Sequence, residues 1–348
     1  MSNLINIKVI AVITVITIFI FCLLNAFLEL RKELFRNNSN DNSEDNSVPP
    51  FPIDAVYTWK GEKISNNTRD SYNYELKYSL RSIDKFAPWI NKIYLLVDAP
   101  KIYPTWINKN NDKIILVDTT ETFPDKKYLP NSNSNAIETT ITRIPNLSEH
   151  YIYFCDDIFL GKPLKYTDFF TKDGKAIIDD RVVSSTNMLK YSNINLLNIK
   201  FPPTVSRFYP HVPIPQIKSI VDDFYNKYPD YIEWIRSTKV RLDNGCKVCV
   251  INELICPCQQ IHYPICKHMY SKNKAILTNN NMSKKALFIP NNKMYVHDYC
   301  ILFNIFMIKP MFFCINDDEK DPKKRVRVRK DMLYFFNEYY PDKASFEL

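Results

Sequence analysis

The sequence predicts an α/β domain built on a mostly parallel sheet with flanking helices, continued by a mixed C-terminal portion and preceded by one transmembrane helix. Strand-like apolar runs alternate with helix-patterned segments from Ile53 to Cys155, the pattern of parallel strands joined by crossover helices. An almost wholly apolar run fills Val9 to Leu24, far longer than a core strand. At 348 residues, 45% hydrophobic and 24% charged, the chain suits one large or two smaller globular domains.

The apolar run reaches Leu28 with only Asn25 interrupting, giving the roughly 20 residues a helix needs to cross a bilayer. Residues 9–28 are therefore expected to form a single-pass membrane anchor behind a short tail, 1–8. A cleaved signal peptide fits less well, because the run is long for such a segment and no A-x-A-like site follows. Two signals compete over orientation. Arg31, Lys32 and Arg36 after the span favour a cytoplasmic C-terminal domain, whereas sequons at Asn37, Asn66, Asn146 and Asn281 favour a lumenal one, and the lumenal side is the expectation. Residues 29–52 read as a flexible stalk, since 37–52 are mostly Asn, Ser, Asp and Pro with too few apolar groups to fold.

The folded domain is expected over 53–318, with 319–348 as a basic, helical extension. Strands are expected at 53–59, 92–97, 113–117 and 151–155. Helices are expected at 69–86, 133–144, 215–228, 230–235 and 331–340. Only four glycines stand against 22 prolines, and neither G-x-G-x-x-G nor G-x-x-x-x-G-K occurs, which disfavours a dinucleotide site and a P-loop kinase. The formal charge of +8 is dispersed except in the run Lys323 to Lys330, KKRVRVRK. A solvated helix or strand face explains that run better than a nucleic-acid contact, so no nucleic-acid partner is expected.

The apolar run Tyr151 to Cys155 closes on Asp156 and Asp157, followed by Ile-Phe-Leu-Gly. That pattern sets two carboxylates at the C-terminal end of a strand, where open α/β sheets bind ligands and where a divalent cation could be held against phosphates. Alone, an Asp-Asp pair is an ordinary solvated turn. The surrounding blocks tip the balance.

IDAVYTW at 53–59, ELKYSLRSIDKFAPWINKIYLLVD at 75–98 and AIETTITRIPNLSEHYIYFCDDIFLGKPL at 136–164 resemble the first two blocks of the stealth family of sugar-phosphate transferases. Later blocks follow in the same order: His211-Val212-Pro213, Lys239-Val240-Arg241, then His297-Asp298 with Cys314-Ile315-Asn316-Asp317-Asp318. The resemblance implies a glycosyltransferase-like fold and transfer of sugar-1-phosphate from a nucleotide-diphosphate sugar to a glycan or glycoprotein hydroxyl, releasing a nucleoside monophosphate. Such chemistry rests on positioning and charge neutralisation, with a base at the attacking hydroxyl.

By this resemblance Glu138, Asp157, His211 and Arg241 fall on catalytic positions. Asp156, Asp157, Asn316 and Asp317 fall where Mg²⁺ or Mn²⁺ would be held. Asp54, Arg69, Asn73, Arg81, Asn133, Ser134 and His297 fall on substrate-binding positions. His211, between Pro210 and Pro213 and one of five histidines, has the near-neutral titration that suits a base. Arg241 offers a planar fork for phosphate oxygens. The chain departs from the family pattern at Tyr72, where Asp is usual, at Lys60-Gly61-Glu62, and at Cys155, where Asn commonly precedes the paired Asp.

Cys246, Cys249, Cys256 and Cys258, with Cys266, His262 and His268, crowd into one short stretch. Three readings stand there: a structural zinc, disulfides, or buried free thiols. Two alternatives to the phosphotransferase also stand. One is a conventional metal-dependent glycosyltransferase releasing UDP, and the other a catalytically silent carbohydrate-binding or zinc-organised interaction protein.

Overall fold

The central strands form because their residues are apolar on both faces, as a strand covered on both sides requires. In a computed structural model the residues described are 48–59, 61, 74–97, 102–179, 212–239, 261–278, 286–290, 305–316 and 321–348. All belong to the unit Ser47–Leu348. Strand β1 (Ile53–Trp59) is followed by helix α1 (Glu75–Phe86), β2 (Ile93–Val97), β3 (Ile114–Asp118), the short α2 (Thr119–Thr122), α3 (Ser134–Glu138) and β4 (His150–Phe154). β1, β2, β3 and β4 pair in parallel. They lie side by side in the order β3-β2-β1-β4 and make the parallel sheet the sequence predicts, with one further strand outside β4.

Beyond β4 the chain forms β5 (Ile158–Leu160), β6 (Ala176–Asp179), β7 (Ile214–Ile217), α4 (Lys218–Lys227), α5 (Pro229–Ser237), α6 (His262–Ser271), β8 (Ala275–Thr278), β9 (Ala286–Pro290), β10 (Phe312–Asn316) and α7 (Pro322–Tyr339). β5, β10 and β9 make a second sheet, and β6 pairs with β8.

Three expected helices are shorter than their patterns. α1 begins at Glu75, because Tyr74 before it is left-handed, at φ 68°, and cannot continue a helix from Arg69. The segment expected to be helical over 133–144 splits into α3 and a single 3₁₀ turn, Ile141–Arg143. Thr139 and Thr140 turn their hydroxyls back onto the carbonyls of Ala136 and Ile137, at 2.7 and 2.8 Å, competing with the helical ladder. Residues 214–217 are strand, not helix: β7 runs antiparallel to β4, and Pro215 is tolerated there because β7 is outermost in the order.

The C-terminal segment is packed into the same unit. Val328, Met332, Phe335, Phe336 and Tyr339 of α7 bury against Phe159, Phe313, Ile315 and Tyr78. The hydroxyls of Tyr339 and Tyr340 donate to the carbonyls of Gly161 and Leu160, each at 2.7 Å. The basic run occupies the first half of α7, where Lys323, Lys324, Arg327 and Lys330 face solvent. No helix among the described residues is long and apolar enough to cross a membrane, and the expected span at 9–28 and stalk to 47 lie outside the described residues.

Candidate active site

The strand order fixes where a ligand would sit. From β1 the chain builds outward through β2 and β3 on one side and returns to β4 on the other, so the carboxyl ends of β1 and β4 flank a topological switch point. Asp156 and Asp157 lie there, half-buried, in the turn between β4 and β5. β10 is brought alongside by antiparallel pairing, with Cys314 opposite Ile158 and the Ile315 N–H donating to the Asp157 carbonyl at 3.2 Å. β10 ends one residue further on, at Asn316.

The thiols beside these carboxylates report their field. Burial pushes the Cys155 thiol well up, and Asp157, Glu138 and Asp156 push it further in that order. Burial and the adjoining Asp157 carboxylate do the same to Cys314. Both therefore stay protonated and neutral at physiological pH. Carboxylate oxygens are the donors that a hard divalent cation such as Mg²⁺ or Mn²⁺ takes. Among the described residues no group of three or more His, Cys, Asp and Glu is arranged as a metal cage. Of the expected ligands, Asp156 and Asp157 lie in the turn between β4 and β5, Asn316 is the last residue of β10, and Asp317 lies outside the described residues.

Glu138 is nearly sealed from solvent, at 4% exposure, on the sheet face opposite Tyr57. The Tyr153 hydroxyl donates to its Oε1 at 3.0 Å. With that proton committed, the Tyr153 oxygen accepts from Thr58 Oγ1 at 3.1 Å, and Thr58 is half-buried one residue before the carboxyl end of β1. The second oxygen, Oε2, stands 3.1 Å from Nε2 of His262, off the line of a good hydrogen bond, so that both atoms are buried without an aligned donor-acceptor contact. The His262 ring stacks on Tyr153 with centroids 4.1 Å apart, and its Nδ1 lies 2.8 Å from Gln216 Nε2. Gln216 Oε1 accepts in turn from the Tyr151 hydroxyl at 2.7 Å.

The other expected site residues divide. Asp54 sits at the amino end of β1, away from the switch point, and its carboxylate accepts from Asn91 Nδ2, the Lys92 N–H and the Ser148 N–H at 2.9, 3.1 and 2.7 Å. Those bonds brace strand ends. Arg81 commits its fork to Glu347, at 2.5 and 2.8 Å, and its remaining Nη1 to the Tyr340 carbonyl at 2.9 Å. Asn133 caps α3 through the Asn135 N–H and donates to the Thr238 carbonyl at 2.9 Å. Ser134, partly exposed, starts α3. His211, Arg241, Arg69, Asn73, His297, Cys246, Cys249, Cys256 and Cys258 lie outside the described residues.

In the cysteine-rich stretch, His262 Nδ1 lies against Gln216 while its Nε2 faces Glu138, and His268 Nε2 meets Asp223 at 2.7 Å. Cys266 is a buried free thiol. The sequence reading missed Thr58, Tyr153, Gln216 and the contact of His262 with Glu138. The Y-x-Y alternation in β4, which sets Tyr151 and Tyr153 on one face, was the available signal for the tyrosines.

Comparison with known proteins finds two regions of one family in this chain. Residues 69–178 match Stealth protein CR2, conserved region 2, and residues 308–348 match Stealth protein CR4, conserved region 4. The chain carries both of these stealth regions, in that order. It is 32% identical over 235 residues to a capsular polysaccharide phosphotransferase of Haemophilus influenzae, covering 56% of this chain and 62% of that one. It is 26% identical over 331 residues to an exopolysaccharide phosphotransferase of Streptomyces coelicolor, covering 85% of this chain and 52% of that one. The chain thus spans between about half and three-fifths of the length of these relatives. Among solved structures it resembles galactosyltransferase LgtC in complex with donor and acceptor sugar analogs, at 12% identity and a TM-score of 0.42, over 82% of this chain and 95% of that one.

The two stealth regions meet in space. Conserved region 2 supplies Arg81, Glu138, Asp156 and Asp157, and conserved region 4 supplies β10, α7 and Glu347. They touch at the Arg81–Glu347 pair and where Ile315 bonds Asp157.

Proposed function

We propose that this protein transfers sugar-1-phosphate from a nucleotide-diphosphate sugar to a hydroxyl of a glycan acceptor, releasing a nucleoside monophosphate. The observation that carries the reading is the convergence of Asp156 and Asp157 with the end of β10 at the switch point between β1 and β4. The names of the relatives, capsular and exopolysaccharide phosphotransferases, support it.

The acceptor oxygen attacks the β-phosphorus of the donor, and the bond from that phosphorus to the bridging oxygen breaks, leaving the negative charge on the nucleoside monophosphate. His211 takes the acceptor hydroxyl proton on an imidazole nitrogen. Arg241 holds non-bridging phosphate oxygens through its two-pronged fork. Asp156 and Asp157, with Asn316 and Asp317, would hold Mg²⁺ or Mn²⁺, which when bound neutralises phosphate charge. Glu138 lies behind this carboxylate cluster and acts through its Tyr153 and Thr58 contacts. The glycosyltransferase-like frame, the anchor at 9–28 and a lumenal catalytic domain complete the proposal.

The test is the fate of a labelled β-phosphate. With a UDP-sugar labelled at that atom, the full-length protein should pass the label to the acceptor, and Asp157→Asn should lower transfer on the order of 10²-fold. Label recovered in UDP with unlabelled sugar on the acceptor would make the protein a conventional glycosyltransferase.

A further inference from the structure

The geometry points to His262 as the positioning residue for Glu138, a role that rests on the phosphotransferase reading only for its effect on turnover. Its protonation state follows from the chain of partners around it. Tyr151 donates to Gln216 Oε1, which leaves the Gln216 amide to face the ring as a donor. Nδ1 of His262 must then accept, so the neutral ring carries its proton on Nε2, the atom 3.1 Å from Glu138 Oε2. The ring is 1% exposed and stacked on Tyr153, the same tyrosine that donates to the other oxygen of Glu138. One packed pair of rings thus bonds one oxygen of Glu138 and faces the other.

This arrangement has a directional consequence. A carboxylate buried at 4% exposure keeps a fixed orientation only if donors face both of its oxygens. Tyr153 fixes Oε1, and the Nε2–H of His262 is the donor that faces Oε2. His262 is therefore assigned no contact with substrate; it sets how Glu138 faces Cys155, which feels its charge.

Two measurements on the full-length protein test this. Nitrogen NMR of the imidazoles at neutral pH should show His262 as the Nε2–H tautomer, with its Nε2 signal moved by Glu138→Gln; an Nδ1–H tautomer, or no response to Glu138→Gln, would overturn the assignment. This arm stands even if no nucleotide sugar is turned over, an outcome that would instead sink the phosphotransferase reading. In the kinetic arm, His262→Ala should lower kcat about 10- to 100-fold with little change in the donor KM. His262→Gln, whose amide nitrogen reaches the position of Nε2, should recover much of that loss, whereas His262→Asn, which reaches only the position of Nδ1, should not. In a Glu138→Gln background, His262→Ala should cost less than about twofold more. Equal losses for the Gln and Asn variants, or additive losses in the double variant, would reduce His262 to a packing residue, and melting temperatures taken alongside separate unfolding from either result.

Discussion

Cys155, Cys266 and Cys314 show how burial sets the chemistry of single residues. Burial comes first in raising each thiol, and the neighbouring carboxylates add to it at Cys155 and Cys314. A thiol reacts as its thiolate. Iodoacetamide at mildly alkaline pH should therefore leave these three unlabelled in the folded protein and label them after denaturation, read by peptide mass. Tyr153→Phe removes the donor to Glu138 and the acceptor for Thr58, and should cost about 1–3 kcal/mol in urea unfolding. Asp156 and Asp157 were legible in the sequence because paired carboxylates closing an apolar run mark a strand end. Glu138 was legible only through its family block. Its partners were not, because Gln216 and His262 reach it through tertiary packing, and His262 sits in sequence among cysteines that drew a metal reading.

Among the elements, the four expected strands read well, the strands after Cys155 were not anticipated, and helix boundaries read poorly. β1, β2 and β4 are apolar on both faces, a pattern that survives any tertiary context. The boundaries depended on single residues whose effect is conformational: Tyr74 left-handed, the back-bonded Thr139 and Thr140, and the edge proline Pro215. α7 combines an aromatic face with a basic one, and the two should respond differently to substitution. Phe336 is fully buried and lies 4.7 Å from Phe159 and 4.9 Å from Tyr78, ring to ring, so Phe336→Ala should cost about 3–5 kcal/mol by urea unfolding. Arg327→Ala on the solvent face should shift stability by less than about 0.5 kcal/mol. A side-chain carbon at Gly161 would stand 2.2 Å from the Pro310 carbonyl oxygen, so Gly161→Ala should push the β5 end from its neighbour and destabilise by about 1–3 kcal/mol.

At the scale of the whole molecule, the fold depends on its last residues. Arg81 and Glu347, whose side chains are 8% and 1% exposed, join conserved region 2 to conserved region 4. Burial pushes the Glu347 carboxyl up, but the Arg81 fork, the Ala344 N–H and Lys77 outweigh it and hold the group below its usual 4.5. A depressed carboxylate stabilises the folded state above its unfolded value and loses that contribution as pH falls through its folded value. Glu347→Gln should thus destabilise by about 3–5 kcal/mol at neutral pH, with the gap from wild type narrowing below pH 4.5. The sequence reading set 319–348 apart as an extension because a basic run there hid an aromatic face, and the structure packs that face onto β5 and β10.

The nucleotide product reads the proposed reaction most directly. Full-length protein given Mg²⁺, a UDP-sugar and a glycan acceptor should release UMP in step with sugar-phosphate appearing on the acceptor, because attack at the β-phosphorus leaves one phosphate with the nucleoside. Asp157→Asn should suppress that release. Stoichiometric UDP, with sugar but no phosphate gained by the acceptor, would contradict phosphotransfer and place the attack at the anomeric carbon.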